Sequence, residues 1–204
     1  AALLAYVLGA LLFMHATRTE AASDWRTASR EPVGLAPDPA VTHEAVVQVY
    51  AARALSWRGY FAVHPWIAVK RSGARSFTVY EVNGWRLWRS GTSVFISDRA
   101  PDGRWFGNRP QLLADRRGAD VDALIDRVEA AVQGYPWKGT YHVWPGPNSN
   151  TFIAHVLRAA PELRVDLPPT AVGKDYLGWL PFAKLPSGMG AQVIVTEVQP
   201  VRAL

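Results

Sequence analysis

A chain of 204 residues with 49% hydrophobic and 19% charged residues holds enough apolar material for one buried core and too little length for two. Its net charge of +5 favours anionic partners, but the Lys and Arg are scattered, and the doublets Lys70-Arg71 and Arg116-Arg117 are too short to mark a nucleic-acid arm. The absence of cysteine excludes disulfides, thiolate catalysis and sulfur metal sites together.

The chain starts with "AALLAYVLGALLFMHA", residues 1–16, an apolar run without a charge. A spanning helix needs about 20 such residues and a signal peptide about 7 to 15. The run is expected to form an N-terminal hydrophobic helix that anchors the protein to a membrane as a single-pass segment; a cleaved signal is the alternative. The side of the membrane stays open, because Arg18, Arg26 and Arg30 follow the run while its preceding flank is not seen. Residues 17–42 mix small, charged and Pro residues without a period and end in the stiff "APDPA", which reads as a linker. A single globular domain is expected over residues 43–204.

Within it, "HEAVVQVYAARAL" predicts a strand over 45–54, and "YFAVHPWIAVK" (60–70) and "SFTVYEVNGW" (76–85) predict two more, joined by the turn "RSGAR". Alternation puts His64 on one face with Trp66 and Ala68, and Glu81 on one face with Val79 and Phe77. Pro65 points to an edge position or a bulge. "TSVFIS" (92–97) predicts a fourth strand and "DRAPDGRWFGNRP" a loop. Over 119–136, Val121, Leu124, Ile125, Val128, Ala131 and Val132 recur at helical spacing, with Gly134 and Pro136 as stop signals. "TYHVW" reads as a short strand. A second helix, 150–160, carries Phe152, Ile153, Val156, Leu157 and Ala160 and ends before Pro161, while Thr151, His155 and Arg158 fall on its opposite, outward side. "AQVIVTEV" (191–198) reads as a closing strand. Strands with two separated main helices give an α+β class with an antiparallel sheet.

The chemistry centres on "GPNSNTF", residues 146–152. Asn148, Ser149 and Asn150 are all good helix N-caps, so the motif serves as a cap in its simplest reading. Ser149 also falls on the inward side, where the positive end of the helix dipole favours a developing anion. A serine nucleophile needs a base, and His64 with Glu81 behind it supplies a candidate, with His142 as competitor. Trp66 beside His64, and Lys174 and Asp175 in "GKDYLGW", are further candidates for lining a site. The His residues lack metal-ligand spacing, and no phosphate loop or dinucleotide fingerprint occurs, so neither metal nor cofactor is expected. Nine Trp, many beside Arg in "SWRGYF", "NGWRLWRS" and "DGRWFGN", offer flat apolar surface next to cations, suited to a cell-wall or lipid ligand.

"NSNTF" resembles the nucleophile motif of circularly permuted papain-like domains, which include NlpC-type cell-wall peptidases and lecithin retinol acyltransferase. There an Asn-Cys-x-x-Phe motif opens the nucleophile helix and the catalytic His lies on an earlier strand. The likeness implies a permuted papain-like fold with Asn148, Ser149 and Phe152 in the motif, His64 as base and Glu81 as third member. Cysteine is replaced by Ser149, so the resemblance implies either a serine-variant amide hydrolase or acyltransferase, or a pocket that only binds. The set "EAVVQVYAARAL", "FAVHPWIAVK", "YEVNGW", "GPNSNTF" and "GKDYLGW" resembles a bacterial family known as domain of unknown function 3750, covering nearly everything after Pro37. With the apolar run 1–16 as anchor, the expected location is the bacterial cell envelope, at the inner membrane, and two expectations remain: an enzyme of the Ser149 site, or a non-catalytic envelope module that binds through its Trp and Arg surface.

Overall fold

The computed structural model describes residues 25–178 and 182–193, together with Leu4, Ala5, Val7, Leu8, Gly9 and Leu12. Most of the apolar run 1–16 therefore lies outside the described residues, and among those described no helix is long and apolar enough to cross a membrane.

Five strands form an antiparallel sheet: β1 (Ala45–Arg53), β2 (Val63–Lys70), β3 (Thr78–Val82), β4 (Val94–Ser97) and β5 (Gln111–Gly118), in the spatial order β4-β3-β2-β1-β5. Between them lie a 3-10 turn, Ser56–Tyr60, and a short helix α1, Gly84–Ser90. Two longer helices follow, α2 (Val121–Gln133) and α3 (Ser149–Ala159), and a small ribbon of β6 (Phe182–Lys184) and β7 (Ala191–Val193) closes the described chain. The class is α+β, as the sequence pattern implies.

The central strands are buried on both faces. In β1 every residue from Ala45 to Ala52 is buried, which is why its sequence reads as a nearly continuous apolar run. On one face Val47, Val49, Ile67, Val69, Tyr80 and Val82 pack against α2 and α3. On the other, Val46, Tyr50, Trp66, Ala68, Phe77 and Val79 pack against Trp105 and Phe106 from the loop between β4 and β5. That loop crosses the sheet from one edge strand to the other, and the Asp102 carboxylate ties it down by accepting the backbone N–H groups of Val33, Leu35 and Ala36. Residues 28–36, inside the segment whose composition marks a linker, are thereby held on this face, with Ala28 buried among the aromatic groups.

Several elements differ from the sequence pattern. "NGWRLWRS" forms α1 rather than continuing β3, and Gly91 at φ 69° closes it in the left-handed conformation that glycine adopts most easily. "QLLADRRG", whose polar residues hide the alternation, is the edge strand β5 beside β1. "TYHVW" is irregular, with the His142 N–H donating to the Pro147 carbonyl. Pro65 sits in the central strand β2, not at a sheet edge; the β2–β3 register runs only from Ile67 to Val69, so its missing N–H interrupts no ladder on that side. β7 begins where the closing strand is expected, and residues 194–198 lie outside the described residues.

Helix α2 buries the six apolar positions that its spacing selects. Helix α3 is enclosed on more sides than its pattern suggests. Thr151 is fully buried and His155 half-buried, because Thr151 Oγ1 donates to the Gly173 carbonyl and the His155 Nε2–H reaches the Ala131 carbonyl of α2 at 3.1 Å. The outward face read for Thr151 and His155 is thus covered by the 171–173 turn and α2, and Arg158 is partly buried, with its Nε–H donating to the Lys184 carbonyl of β6. Phe152, fully buried between helix and sheet, contributes on the order of 2–3 kcal/mol through apolar area removed from water.

Candidate functional site

The motif at the start of α3 is built as a clasp. Asn148 is the N-cap: its Oδ1 accepts the N–H groups of Asn150 and Thr151, and the Asn148 N–H donates back to Thr151 Oγ1, completing a capping box. The Asn148 amide group donates to the carbonyls of Val143 and Val172, and Asn150 Nδ2 donates to the Val172 carbonyl at 2.8 Å. One cluster of small polar side chains therefore satisfies the helix start and two neighbouring loops. Gly173, at φ 88°, must be glycine, since a Cβ there would collide with the Asn148 side chain and the Pro145 carbonyl. Ser149 is buried at the first turn of α3, on the helix-bearing face of the sheet.

His64 and Glu81 do come together. Their side chains meet at 2.8 Å, Nε2 to Oε2, and both are buried. They meet, however, on the other face of the sheet. His64 shares its side of β2 with Trp66, whose cluster opposes Trp105, while the neighbouring Val63 and Ile67 belong to the helix side. The sheet therefore stands between Ser149 and the His64–Glu81 pair, and the expected Ser-His-Glu constellation is not assembled. The remaining candidates are also dispersed. His142 is exposed in the loop before the motif; Lys174 pairs with Asp175 at 2.7 Å on the surface; and Trp66 lies fully buried beneath the opposite face, its indole N–H donating to the Pro101 carbonyl at 2.7 Å. Tyr176 of "GKDYLGW" packs edge-on against Trp137.

Around the His64–Glu81 pair the structure builds a different site. The His64 ring lies flat on Trp105, and Trp105 stacks in turn with Trp85 of α1. Arg99 spreads its guanidinium over Trp66, 4.6 Å from the ring centre, and its Nε lies 3.4 Å from Glu81 Oε1, a contact that is an ion pair and too poorly aligned for a hydrogen bond. Its Nη2 is buried without a hydrogen-bond partner. Burial pushes the His64 pKa below its ordinary value, against the upward pull of the Glu81 hydrogen bond and charge and with a further downward push from Arg99. For Glu81, burial acts upward but is outweighed by the His64 hydrogen bond and the Arg99 charge, which hold the carboxyl below the usual carboxylate range. The consistent state is a neutral imidazole whose Nε2–H donates to an ionised Glu81, balanced by Arg99.

Glu81 and Arg99 open into a cleft of about 570 Å³ between α1 and the crossing loop. Its walls are largely apolar, from Leu55, Trp85, Phe95, Trp105 and Phe106, with Trp25 at the side. Arg30, Arg89, Arg99 and Arg104 join them, against Glu81 as the one acid, already bound by His64 and Arg99. Among the described residues no group of three or more His, Asp or Glu side chains is placed to hold a metal ion. The sequence marks "NGWRLWRS" and "DGRWFGN" as Arg–Trp pairs, but not their meeting across the sheet. Arg30 over Phe106 and Arg99 over Trp66 are contacts between distant segments, and Arg86 of α1 stands over Phe95 of the adjoining β4.

An antiparallel sheet with helices on one face and a cationic aromatic cleft on the other defines an α+β domain with a ligand-sized recess, rather than an assembled serine-hydrolase triad. A family model described as "Protein of unknown function (DUF3750)" matches residues 44–176, well over half of the chain, and the protein belongs to that family. No curated protein and no solved structure matches the chain.

Proposed function

We propose that this domain is a non-catalytic binding module of the cell envelope whose ligand is an apolar molecule carrying an anionic group, held in the cleft of Trp85, Trp105, Phe106 and Arg99. The observation that carries the reading is Arg99. Its guanidinium is stacked on Trp66 and braced by Glu81, yet Nη2 is buried with no hydrogen-bond partner beside an apolar recess. A buried, unsatisfied guanidinium donor costs free energy unless a ligand accepts from it, and a carboxylate or phosphate is the acceptor its geometry suits best. The aromatic walls take the apolar body, and Arg30, Arg89 and Arg104 add to the positive potential. Envelope attachment through residues 1–16 belongs to the same proposal and is supported by their uncharged, apolar composition.

The test is a titration of the full chain with dodecyl phosphate, below its micelle concentration, against dodecanol. Preference for the phosphate that disappears in Arg99→Gln supports the reading; equal response to both ligands, or an unchanged response in the variant, overturns it.

A permuted papain-like scaffold with a serine-variant hydrolase or acyltransferase site is a second reading. It is supported by one observation, that the helix opened by Asn148-Ser149 lies directly against the antiparallel sheet. Such chemistry would have to find a base for Ser149 other than His64. Labelling by an alkyl fluorophosphonate that vanishes in Ser149→Ala would favour it; no labelling would remove it.

A further inference from the structure

Three segments connect at the same end of the sheet. The β1–β2 connection leaves the end of β1, the β3–β4 connection leaves the end of β3, and the antiparallel order puts both ends side by side. The 137–148 loop lies against the β3–β4 connection: the Ser93 N–H and hydroxyl both donate to the Lys138 carbonyl, and the Tyr141 ring lies so close to Gly84 that a Cβ there would come within 2.8 Å of it, while Arg58 of the β1–β2 connection is near enough for its charge to act on the Tyr141 hydroxyl. These segments carry Trp57, Phe61, Trp85, Trp88, Val143 and Trp144, each with more than half of its surface exposed, and Trp88 reaches 91%. Single exposed apolar residues are ordinary; six from three adjoining segments, four of them Trp, are not.

The charge of this end is one-sided. Residues 53–62, 83–92 and 137–148 contain Arg53, Arg58, Arg86, Arg89 and Lys138 and no Asp or Glu, although the chain has 17 acids elsewhere. Arg58 stands over the Trp57 ring at 5.1 Å, a cation beside an exposed indole. Exposed Trp with flanking Arg, and no acid, suits the headgroup level of an anionic bilayer, where indoles take the interface and each cation gains from the surface potential. A protein partner would have no reason to exclude every carboxylate from three separate loops.

We infer that this end of the domain is a membrane-contact surface for anionic lipid, laid on the bilayer by Trp57, Phe61, Trp88 and Trp144. Apart from Trp85, none of the six exposed residues lines the cleft, so the inference stands whether or not the cleft binds a ligand. Because α1 borders both, contact at this end places the cleft mouth beside the lipid headgroups.

The chain contains no cysteine, so single cysteines introduced in the full chain at Trp88→Cys, Trp144→Cys and, at the far end of the sheet beside Arg71, Asp126→Cys give clean sites for an environment-sensitive dye. The probes are vesicles of phosphatidylcholine alone and of phosphatidylcholine with phosphatidylglycerol, each with and without nitroxide-labelled lipid. On the anionic vesicles the dyes at 88 and 144 are expected to shift to the blue and be quenched, and the dye at 126 to do neither. Arg53→Gln with Arg58→Gln is expected to weaken anionic-vesicle binding about thirty-fold. If the chain is bound to vesicles while the dyes at 88 and 144 behave like that at 126, residues 1–16 alone hold it and the inference fails; it fails equally if the double variant binds as the parent does.

Discussion

The His64 imidazole lies against the Trp105 indole with ring centroids 3.7 Å apart and planes inclined by 7°. This stack fixes the ring from one side while the Glu81 carboxylate takes its Nε2–H, so a neutral histidine is oriented, covered and hydrogen-bonded at once. A protonated ring in the same place would lose hydration that Glu81, shared with Arg99, only partly replaces.

Acid should therefore destabilise the domain through His64. Its folded pKa lies below the ordinary 6.5, so between that value and the lower folded one the unfolded chain binds the extra proton and the folded chain does not. Stability is complete above pH 6.5 and is lost as pH falls through the folded pKa. Glu81, with its pKa also lowered, adds a loss in the same direction further into acid. Urea unfolding across this range is expected to show a falling midpoint with acidification, and His64→Gln should flatten the upper part of that fall.

Removing the Glu81 charge should cost more than removing an ordinary surface acid. Glu81→Gln leaves the Arg99 guanidinium against Trp66 without its counter-charge, a loss of about 3 kcal/mol for a largely buried pair. The surface pair Arg127–Glu162 provides the contrast: Glu162→Gln is expected to change stability by less than about 1 kcal/mol. Chemical denaturation of the two variants checks both values.

Asn148 and Gly173 should act as one unit. Asn148→Ala removes the cap and two carbonyl contacts, about 2–3 kcal/mol, and Gly173→Ala forces a Cβ into the space that the Asn148 side chain fills. Once Asn148 is shortened, part of that clash is relieved. In a double-mutant cycle the combined loss is expected to be smaller than the sum of the single losses.

How much of this was legible in the sequence follows from what periodicity carries. Alternation in "VHPWIAVK" and "TVYEV" put His64 and Glu81 on faces that proved to coincide, and the spacing of Val121 to Val132 marked α2 correctly. What alternation does not carry is which face receives the helices. Because β1 and β2 are apolar on both sides, Ser149 and His64 each point inward, yet to opposite sides of the sheet. The cleft was hidden for a related reason. "DGRWFGN" reads as a turn-rich loop, and nothing local tells that Asp102 anchors it to residues 33–36, or that Trp105 is carried across to His64. Strand β5 escaped because an edge strand with Asp115, Arg116 and Arg117 has no apolar period to read.

The division of the molecule into two faces is tested most directly by measuring dodecyl phosphate binding to Ser149→Ala and Arg99→Gln side by side, in the full chain at one salt concentration. Ser149→Ala is expected to bind as the parent does, and Arg99→Gln to bind more than about ten-fold more weakly. Loss of binding in Ser149→Ala with Arg99→Gln unaffected would place the ligand on the helix side of the sheet and contradict the account.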